Sequence, residues 1–500
     1  MRRLEDFPDA DLRLFERPAP PPPHALRTVH LIGICGTGMG SLATLLAESG
    51  RDVRGSDDAA YPPMSTRLAE LGIDVLDGFD AANLAPAGGP PDLVVVGNAC
   101  TPTHVEAAAA RERGMAQLSF PETLAHVFLT RRRSLVVAGT HGKTTTTGLL
   151  AHVLTAAGLD PGVLVGGIMS GSGTSAHVGT GPHFVVEGDE YDAAYFDKRP
   201  KFLHYRPTSA IVTSMEFDHA DIYDGWDDYR EAFEAFAATV GAHTSAHGHP
   251  GTLALWADDP NVAALAAFAP SARVRTYGSS DGCDVTARDV RRGEGGQRFT
   301  LVVDGEDACE VFLPMSGAHN RHNALAVATV CLAEGLLPAQ IAHGMGTFRG
   351  MKRRQEVRGE AGGVLVIDDF AHHPTAVRVT IEAIAERWPE RRLVAVFEPR
   401  SNSSRRKVFE APYAEAFGGA ALAFLSAPPV RHNDTADDLM DSAVVARGIE
   451  SHGTPARVFE SADALLPALV DAVRPGDVVL VMSNGSFGGL HGRLLDALGG

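Results

Sequence analysis

The segment Ser134-Leu135-Val136-Val137-Ala138 is followed by Gly139-Thr140-His141-Gly142-Lys143-Thr144-Thr145 and then by helix-forming residues up to 157. This order predicts a buried strand, a glycine loop that binds phosphates, and a helix. Backbone N–H groups of such a loop hold phosphates, the lysine contacts the outer phosphates, and the Thr144 hydroxyl binds Mg²⁺. Val137 stands where the usual phosphate-loop pattern has its first glycine. The alternative to phosphate binding is a glycine loop that carries a surface lysine. The combination favours ATP or GTP binding.

Two acidic clusters come after later apolar runs. Residues 187–192 read Glu-Gly-Asp-Glu-Tyr-Asp after the predicted strand 184–186, and residues 216–221 read Glu-Phe-Asp-His-Ala-Asp after the predicted strand 210–213. Solvated loops often carry acids, so either cluster alone would indicate little. Following a phosphate loop, they predict a magnesium site for phosphoryl transfer, with Glu187 and His219 at the ends of neighbouring strands.

The beginning of the chain has its own glycine loop. An apolar run at 29–34 leads into residues 35–40 and a helical stretch at 41–49, which predicts a strand, a turn and a helix. The loop resembles a dinucleotide fingerprint, but Cys35 and Ser41 occupy positions that need glycine. A diphosphate could still approach the backbone closely, and NAD is not required.

Length and the order of these elements predict several α/β domains. The 500 residues suffice for two to four domains, and further strands are expected at 364–367, 393–397 and 478–482. We expect a lead-in at 1–26 and domains at 27–130, 131–346 and 347–500. The lead-in has five prolines between residues 17 and 23, so we expect it to be extended and without a role in packing.

Charge and composition exclude several classes of protein. The chain has 44 Lys and Arg against 62 Asp and Glu, a formal charge of −18, which argues against nucleic acid or an anionic membrane as the main partner. No run reaches the ~20 apolar residues of a membrane helix, and the first residues do not form a signal or transit peptide. The five scattered cysteines fit a reducing compartment. We therefore expect a cytoplasmic protein.

Further polar clusters complete a pattern that resembles the ATP-dependent Mur ligase family, from about Val29 to about Leu495. The segments that carry this resemblance lie at 139–145, 189–192, 196–199, 204–207, 216–221 and 397–402. The resemblance implies three domains: an N-terminal Rossmann-like domain for UDP, a central ATPase with a phosphate loop, and a C-terminal Rossmann-like domain. Within the family, these segments are most similar to those of the member that uses a murein tripeptide.

The resemblance also implies a reaction. ATP would phosphorylate the carboxylate of UDP-N-acetylmuramate, and the amine of L-Ala-γ-D-Glu-meso-diaminopimelate would attack the acyl phosphate, as a step in peptidoglycan recycling. The alternative within the family is a ligase that adds L-alanine. A nicotinamide-dependent oxidoreductase would leave Lys143 and both acidic clusters unexplained. A non-catalytic sensor of UDP-sugars would be expected to lack Lys143, Glu187 or His219, and none of these is missing.

The resemblance assigns roles to individual residues. Lys143, Glu187 and His219 would be catalytic, and Thr144, Glu187 and His219 would bind Mg²⁺, for which Mn²⁺ could substitute. The nucleotide would contact Gly139, Thr140, His141, Gly142, Lys143, Thr144, Thr145, Asn320, Asn323, Arg353 and Asp368. Substrates would contact Gly36, Thr37, Gly38, Met39, His372, Arg400 and Asn402. Several relatives use a carbamylated lysine as a further metal ligand; this chain has no lysine between Lys201 and Lys352, so if that role exists here, an acid such as Glu231 or Glu234 must fill it.

Overall fold

The computed structural model describes residues 3–60, 64–86, 88–219, 222–243, 250–293, 295–430 and 438–499. Among these residues the strands form three main sheets, one after another along the chain, and one small hairpin. Helices accompany each main sheet. The expected three-domain α/β architecture is confirmed, and we call its parts the N-terminal, central and C-terminal units.

The N-terminal unit has a five-stranded parallel sheet in the order β3-β2-β1-β4-β5. Its strands are β1 (Thr28–Ile32), β2 (Asp52–Asp57), β3 (Asp74–Asp77), β4 (Leu93–Val96) and β5 (Gln117–Ser119), and its helices are α1 (Ala10–Arg13), α2 (Thr37–Glu48), α3 (Met64–Glu70), α4 (Val105–Glu112) and α5 (Phe120–Leu124). Strand β1 ends two residues earlier than the apolar pattern predicts, because Gly33 turns the chain with a φ of 76°. Helix α2 consequently begins at Thr37 and not at Ser41.

The central unit contains a ten-stranded sheet in the order β17-β16-β15-β14-β13-β12-β6-β9-β7-β8. Its strands are β6 (Arg133–Ala138), β7 (Gly162–Leu164), β8 (Ala176–His177), β9 (His183–Glu187), β12 (Ser209–Val212), β13 (Gly251–Trp256), β14 (Ala272–Tyr277), β15 (Val285–Gly293), β16 (Gly296–Val303) and β17 (Glu306–Leu313); β10 (Asp192–Ala194) and β11 (Asp197–Pro200) form the hairpin. Its helices are α6 (Lys143–Ala156), α7 (Trp226–Thr239), α8 (Pro260–Ala264), α9 (Ala318–Ala333) and α10 (Pro338–Thr347).

The order of strands in the central sheet corrects one expectation. Strands β9 and β12, which precede the two acidic clusters, are not neighbours, because β6 lies between them and pairs in parallel with both. The carboxyl ends of the three strands meet at one edge, where parallel sheets place their sites. The two clusters therefore flank the phosphate loop. Ala220 and Asp221 of the second cluster lie outside the described residues.

The C-terminal unit has a six-stranded sheet in the order β18-β19-β23-β20-β21-β22, parallel except for β18. Its strands are β18 (Glu356–Ala361), β19 (Val364–Asp369), β20 (Arg392–Phe397), β21 (Leu422–Ser426), β22 (Ala456–Phe459) and β23 (Asp477–Met482), and its helices are α11 (Pro374–Arg387), α12 (Glu410–Ala416), α13 (Ser442–Ser451), α14 (Ala462–Ala472) and α15 (Leu490–Gly499). Apolar clusters cover both faces of this sheet.

Apolar packing joins the N-terminal and central units. Leu42 and Phe128 of the first unit belong to the same buried cluster as Phe184 and Phe233 of the second. The rings of Phe128 and Phe184 have centroids 6.0 Å apart. The other face of the central sheet packs against α6, α9 and α10. Within the described residues, no helix has the length and apolarity needed to cross a lipid bilayer.

The lead-in corrects a second expectation, because it packs against both of the units that follow it. Phe15 stacks on Tyr195 of the β10–β11 hairpin, with ring centroids 6.2 Å apart, and meets Phe196 edge to face at 5.9 Å. Arg17 donates two hydrogen bonds to Glu122, of 2.8 and 3.0 Å, while its guanidinium lies 4.3 Å from the centroid of the Phe196 ring.

The proline-rich part of the lead-in is anchored through its backbone. The carbonyl of Pro23 accepts a 2.7 Å hydrogen bond from Arg51, and that of Pro21 lies 2.8 Å from His126 Nε2. Composition alone could not reveal these contacts, since prolines lack a donor but keep their carbonyls. The lead-in thus connects the N-terminal unit to the hairpin that follows the first acidic cluster.

These contacts predict a stability effect. Phe15→Ala should destabilise the protein by about 1–2 kcal/mol, because it removes two aromatic contacts at the junction of two units. Leu14→Ala is the matched control, since Leu14 is 48% exposed, and it should change little. Comparing the midpoints of urea unfolding of both variants with the unsubstituted chain tests this. Equal shifts for the two variants would contradict a packing role for the lead-in.

Candidate active site

The phosphate loop is shaped by two glycines that no other residue could replace without strain. Gly139 and Gly142 have φ angles of 128° and 81°. A Cβ on Gly139 would lie 2.2 Å from Thr213 Oγ1, and one on Gly142 would lie 2.7 Å from Asn323 Oδ1. The loop therefore fits closely between β12 and α9, and it leads directly into α6, whose N-terminus favours anions.

A buried carboxylate, Glu190, bridges the lysine of this loop and the histidine of the second acidic cluster. Lys143 Nζ donates a 2.9 Å hydrogen bond to Glu190, and His219 Nε2 lies 3.0 Å from Glu190 Oε1. Lys143 also donates to the loop carbonyls of Gly139 and Thr140 at 2.6 and 3.2 Å. Glu190 belongs to the first acidic cluster but is not among the site residues that the sequence predicts. The sequence feature that points to Glu190 is its position three residues after Glu187, just beyond strand β9, which lies next to the strand that leads to the phosphate loop.

This bridge sets the charges of its members. Burial by itself lowers the pKa values of Lys143 and His219, but the neighbouring carboxylates, Glu190 foremost, outweigh it and raise both above their ordinary values. Glu190 is completely buried. The site thus keeps a fixed cation beside the loop, where outer phosphates would lie.

The predicted metal ligands Thr144 and Glu187 meet each other. Thr144 Oγ1 donates a 2.9 Å hydrogen bond to Glu187 Oε1, and the Gly166 N–H donates to Glu187 Oε2 at 2.8 Å. Burial raises the pKa of Glu187, which indicates a carboxylate that lacks a full counter-charge. A hydroxyl and a buried carboxylate are the hard oxygen donors that Mg²⁺ prefers, so these residues fit such an ion.

His219 also fits a role as a metal ligand. Its backbone has a φ of 56°, a left-handed conformation that is costly for a side-chain-bearing residue and common at functional sites. Its Nδ1 atom is buried, and among the described residues it has no hydrogen-bond partner. The Tyr191 ring lies against the imidazole, with centroids 4.2 Å apart. A buried imidazole nitrogen without a hydrogen-bond partner can bind a cation when the ring gives up its proton to that cation.

A cavity of about 560 Å³ extends from the phosphate loop to the C-terminal unit. Asn320 and Asn323, expected on the adenine side, both line it at the start of α9. Trp256 lies on the same wall, with its ring centroid 5.2 Å from that of His322. A cavity of this size with an aromatic wall and amide groups suits a purine nucleotide.

The C-terminal unit reaches the loop through a different arginine from the one expected. Arg353 and Asp368 do not line the cavity; their side chains lie 3.4 Å apart, and Arg353 donates to the carbonyls of Ser483 and Gly485. Their chain neighbours Arg354 and Asp369 line it instead. Arg354 donates a 3.3 Å hydrogen bond to Thr144 Oγ1. Arg353 and Arg354 lie in a turn where Arg353 has a left-handed backbone with a φ of 59°, so sequence spacing cannot resolve which side chain faces the cavity.

A second polar contact joins the two units beside the cavity. His141 Nε2 lies 2.9 Å from Glu216 Oε2, and His373 Nδ1 lies 3.6 Å from the same oxygen. The hydrogen bond from His141 outweighs burial and lowers the pKa of Glu216. Since His373 is the N-cap of α11, Glu216 also lies near a helix N-terminus, which stabilises its charge.

The residues expected to bind the incoming peptide lie in the C-terminal unit. His372 has its Nδ1 3.1 Å from the Phe370 carbonyl, and burial lowers its pKa to about 4. Arg400 is 44% exposed, passes over Gly485, and has Nη1 3.8 Å from Glu398 Oε1. Asn402 is half-buried in the same segment.

The predicted UDP loop lies at the N-terminus of α2. Gly36, Thr37 and Gly38 are exposed, whereas Met39 is buried. A 2.9 Å hydrogen bond between Ser41 of α2 and Ser175 ties this helix to the segment that begins at Gly166, beside Glu187.

The acids suggested in place of a carbamylated lysine both lie on α7. Glu234 pairs with Arg230 within α7 at 2.5 Å, and Glu231 is exposed. Lys143 contacts Glu190, and the role suggested for Glu231 or Glu234 stays a prediction.

Family models match most of the chain. Residues 28–132 match the model described as "Mur ligase family, catalytic domain", residues 137–331 match "Mur ligase middle domain", and residues 353–485 match "Mur ligase, glutamate ligase domain".

Individual relatives match over nearly their full length. The UDP-N-acetylmuramate–L-alanyl-γ-D-glutamyl-meso-2,6-diaminoheptandioate ligase of Escherichia coli (strain K12) is 38% identical over 94% of this chain and 98% of its own. The UDP-N-acetylmuramate–L-alanine ligase of Kineococcus radiotolerans is 38% identical over 95% and 96%. The crystal structure of a murein peptide ligase from Psychrobacter arcticus is 33% identical, with a TM-score of 0.69 over 95% of this chain and 99% of that one.

The cavity predicts how two histidines titrate. Burial lowers the pKa of His319 and of His322 from 6.5 to about 4. The unfolded chain therefore takes up protons first, so the stability that the neutral rings contribute is complete above pH 6.5 and is lost as the pH falls toward 4. Each ring contributes at most about 3 kcal/mol.

Titration of ¹³C-labelled histidine by NMR checks this directly, with His319→Gln and His322→Gln to assign the signals. We expect both resonances to titrate below pH 5. A midpoint between pH 6 and 7 for either ring would contradict its burial beside the cavity.

Proposed function

The chain belongs to the Mur ligase family, and on that premise we propose that it joins UDP-N-acetylmuramate to the tripeptide L-Ala-γ-D-Glu-meso-diaminopimelate. The enzyme is an ATP-dependent, ADP-forming ligase that makes an amide bond. The E. coli relative whose name states this reaction aligns with 94% of the chain. We propose that the reaction serves peptidoglycan recycling in the cytoplasm, where a peptide released from the wall would be attached to a nucleotide sugar again.

One observation supports the ligase chemistry above the others: residues from two units converge on a single phosphate loop. Lys143 and Thr144 come from the central unit, and Arg354, two residues before β18 of the C-terminal unit and within its family model, donates to the Thr144 hydroxyl. A cation that a second unit supplies to the loop is suited to a reaction in which the units close over the phosphates. The NAD alternative gives no reason for this convergence.

The first step that we propose is phosphoryl transfer. A carboxylate oxygen of the muramoyl group attacks the γ-phosphorus of ATP, the bond to the bridging oxygen breaks, and ADP leaves with the electron pair. Lys143, held by Glu190, would neutralise charge on the β- and γ-phosphates. Asn320 and Asn323 would contact the adenine side of the nucleotide, and the N-terminus of α2 at 36–39 would hold the diphosphate of UDP.

The second step is attack by the peptide amine on the acyl phosphate. The new C–N bond forms, inorganic phosphate leaves, and the amine releases a proton. Phosphate is a better leaving group than the carboxylate oxygen, and for this reason the carboxylate is first phosphorylated by ATP. Water would hydrolyse the acyl phosphate, so the contacts of Arg354 and His373 with the central unit matter because they cover the site.

We propose that Thr144, Glu187 and His219 hold Mg²⁺. The ion would stabilise negative charge on the transferring phosphates. The imidazole of His219 makes the donor set compatible with Mn²⁺ as well. Glu190 would act behind these ligands by orienting His219, and its own position depends on the Tyr223 hydroxyl, which donates a 2.7 Å hydrogen bond to the Glu190 carbonyl.

The amine substrate distinguishes the two candidate reactions within the family, which join either the tripeptide or L-alanine to UDP-N-acetylmuramate. L-Alanine offers one carboxylate, whereas the tripeptide carries three carboxylates and a distal ammonium. The segment 400–402 follows β20 at the carboxyl edge of its sheet, and the Arg400 side chain is 44% exposed, with Nη1 3.8 Å from Glu398 Oε1. An arginine fork suits a peptide carboxylate, which supports the tripeptide.

The proposed function predicts a substrate preference. The kcat/KM measured by ADP release with UDP-N-acetylmuramate should be at least tenfold higher for the tripeptide than for free L-alanine. Arg400→Ala should raise the KM for the tripeptide about tenfold, because one carboxylate contact of about 1.4 kcal/mol is lost.

Arg457→Ala, an exposed arginine on β22, is the matched control and should leave the KM within twofold. A preference for L-alanine would contradict the proposed reaction. An unchanged KM for the tripeptide in Arg400→Ala would remove Arg400 from the peptide site without affecting the rest.

A further inference from the structure

The loop that follows the candidate peptide segment contacts the backbone of a metal ligand. Ser403, which lies one residue after Asn402 in the C-terminal unit, accepts a 3.2 Å hydrogen bond from the backbone N–H of His219 at its Oγ. The same hydroxyl donates to the Asp218 carboxylate. Ser403 is 5% exposed, so water does not compete for these contacts.

The backbone held in this way is the strained one. His219 has a φ of 56°, and its N–H is shared between Asp218 Oδ1 at 2.7 Å and Ser403 Oγ. A left-handed backbone at a residue other than glycine is strained, and it persists only where surrounding contacts hold it in place. Asp218 belongs to the central unit, whereas Ser403 belongs to the C-terminal unit. One of the two hydrogen bonds that hold the His219 backbone therefore comes from a different unit.

We propose that Ser403 is a positioning residue that couples the peptide segment 400–402 to the metal ligand His219. When the C-terminal unit is closed, its hydroxyl fixes the turn at 218–219 and thereby the direction of the imidazole. Metal affinity then depends on a residue that contacts no metal. This inference rests on the proposed function, since it takes His219 as a ligand and 400–402 as the peptide segment.

The chain offers a matched control in the next residue. Ser404 is 1% exposed, but its bonds stay within its own loop: its N–H donates to Ser401 Oγ at 2.9 Å and its hydroxyl to the Ser401 carbonyl at 3.3 Å. Removing either hydroxyl deletes a buried hydrogen bond in the same segment. Of the two hydroxyls, the one of Ser403 accepts a hydrogen bond from the backbone of His219.

The test measures Mn²⁺ binding by EPR in the full chain with a non-hydrolysable ATP analogue, so that no turnover is needed. Ser403→Ala should weaken the Mn²⁺ site about three- to tenfold, as expected for losing one buried hydrogen bond to a charged network. It should also reduce the ¹⁴N modulation that a histidine ligand gives in pulsed EPR. Ser404→Ala should stay within twofold, and Ser403→Thr, which keeps the hydroxyl, should retain the affinity of the unsubstituted chain.

Reciprocity adds a second readout. Because coupling between two sites is mutual, the tripeptide should tighten Mn²⁺ binding in the unsubstituted chain and have less effect in Ser403→Ala. Equal Mn²⁺ affinity and equal ¹⁴N modulation in Ser403→Ala and the unsubstituted chain would overturn the proposal. Should the alanine variant not fold, Ser403→Cys, which keeps the size but donates weakly, replaces it with the same expected direction.

The two proposals fail in different ways. If the unsubstituted chain makes no amide with the tripeptide, the proposed function is wrong. If it does so, and Ser403→Ala binds Mn²⁺ normally, only the positioning role of Ser403 is wrong.

Discussion

The completely buried carboxylate of Glu190 is the interaction on which the rest of the site depends. It contacts Lys143 at 2.9 Å and His219 at 3.0 Å, so an anion from the β9 side of strand β6 holds both the lysine of the loop that follows β6 and a histidine from the β12 side. Burying such charges costs several kcal/mol, and that cost is offset only when every partner is in place. The fold supplies the partners because β9 and β12, which lead to Glu190 and His219, both pair with the strand that leads to the phosphate loop.

The outer units complete this centre through a few polar contacts. The C-terminal unit contributes Arg354 to Thr144 and Ser403 to His219, whereas the N-terminal unit is tied to the neighbourhood of Glu187 through the Ser41–Ser175 hydrogen bond. The N-terminal and central units share one buried apolar cluster, whereas the C-terminal sheet has apolar clusters of its own, so losing the contacts of Arg354 and Ser403 would leave these cores intact. Such an arrangement permits opening for substrates and closure for chemistry, as a ligase that must protect an acyl phosphate from water requires.

The parts of the site that are built from consecutive residues can be predicted from the sequence. The phosphate loop, α6 and the strand before them follow from a contiguous pattern, and the acidic clusters were recognised because each follows an apolar run. The importance of Glu190 could not be predicted, because it comes from a bridge between residues 47 and 29 positions apart. The choice between Arg353 and Arg354 depends on a left-handed backbone at Arg353, with a φ of 59°. The lead-in was mistaken for a passive segment because its anchors are carbonyls and aromatic stacking.

The most direct test of this account is the turnover of Glu190→Gln, which keeps the size of the side chain and removes its charge. We expect kcat for ATP-dependent amide formation to fall at least about 100-fold, since Lys143 would lose its buried counter-charge and His219 its orienting partner. Glu231→Gln, at an exposed position of α7, should retain full activity. A folded Glu190→Gln enzyme with unchanged kcat would show that the bridge between Lys143 and His219 is not what organises the site.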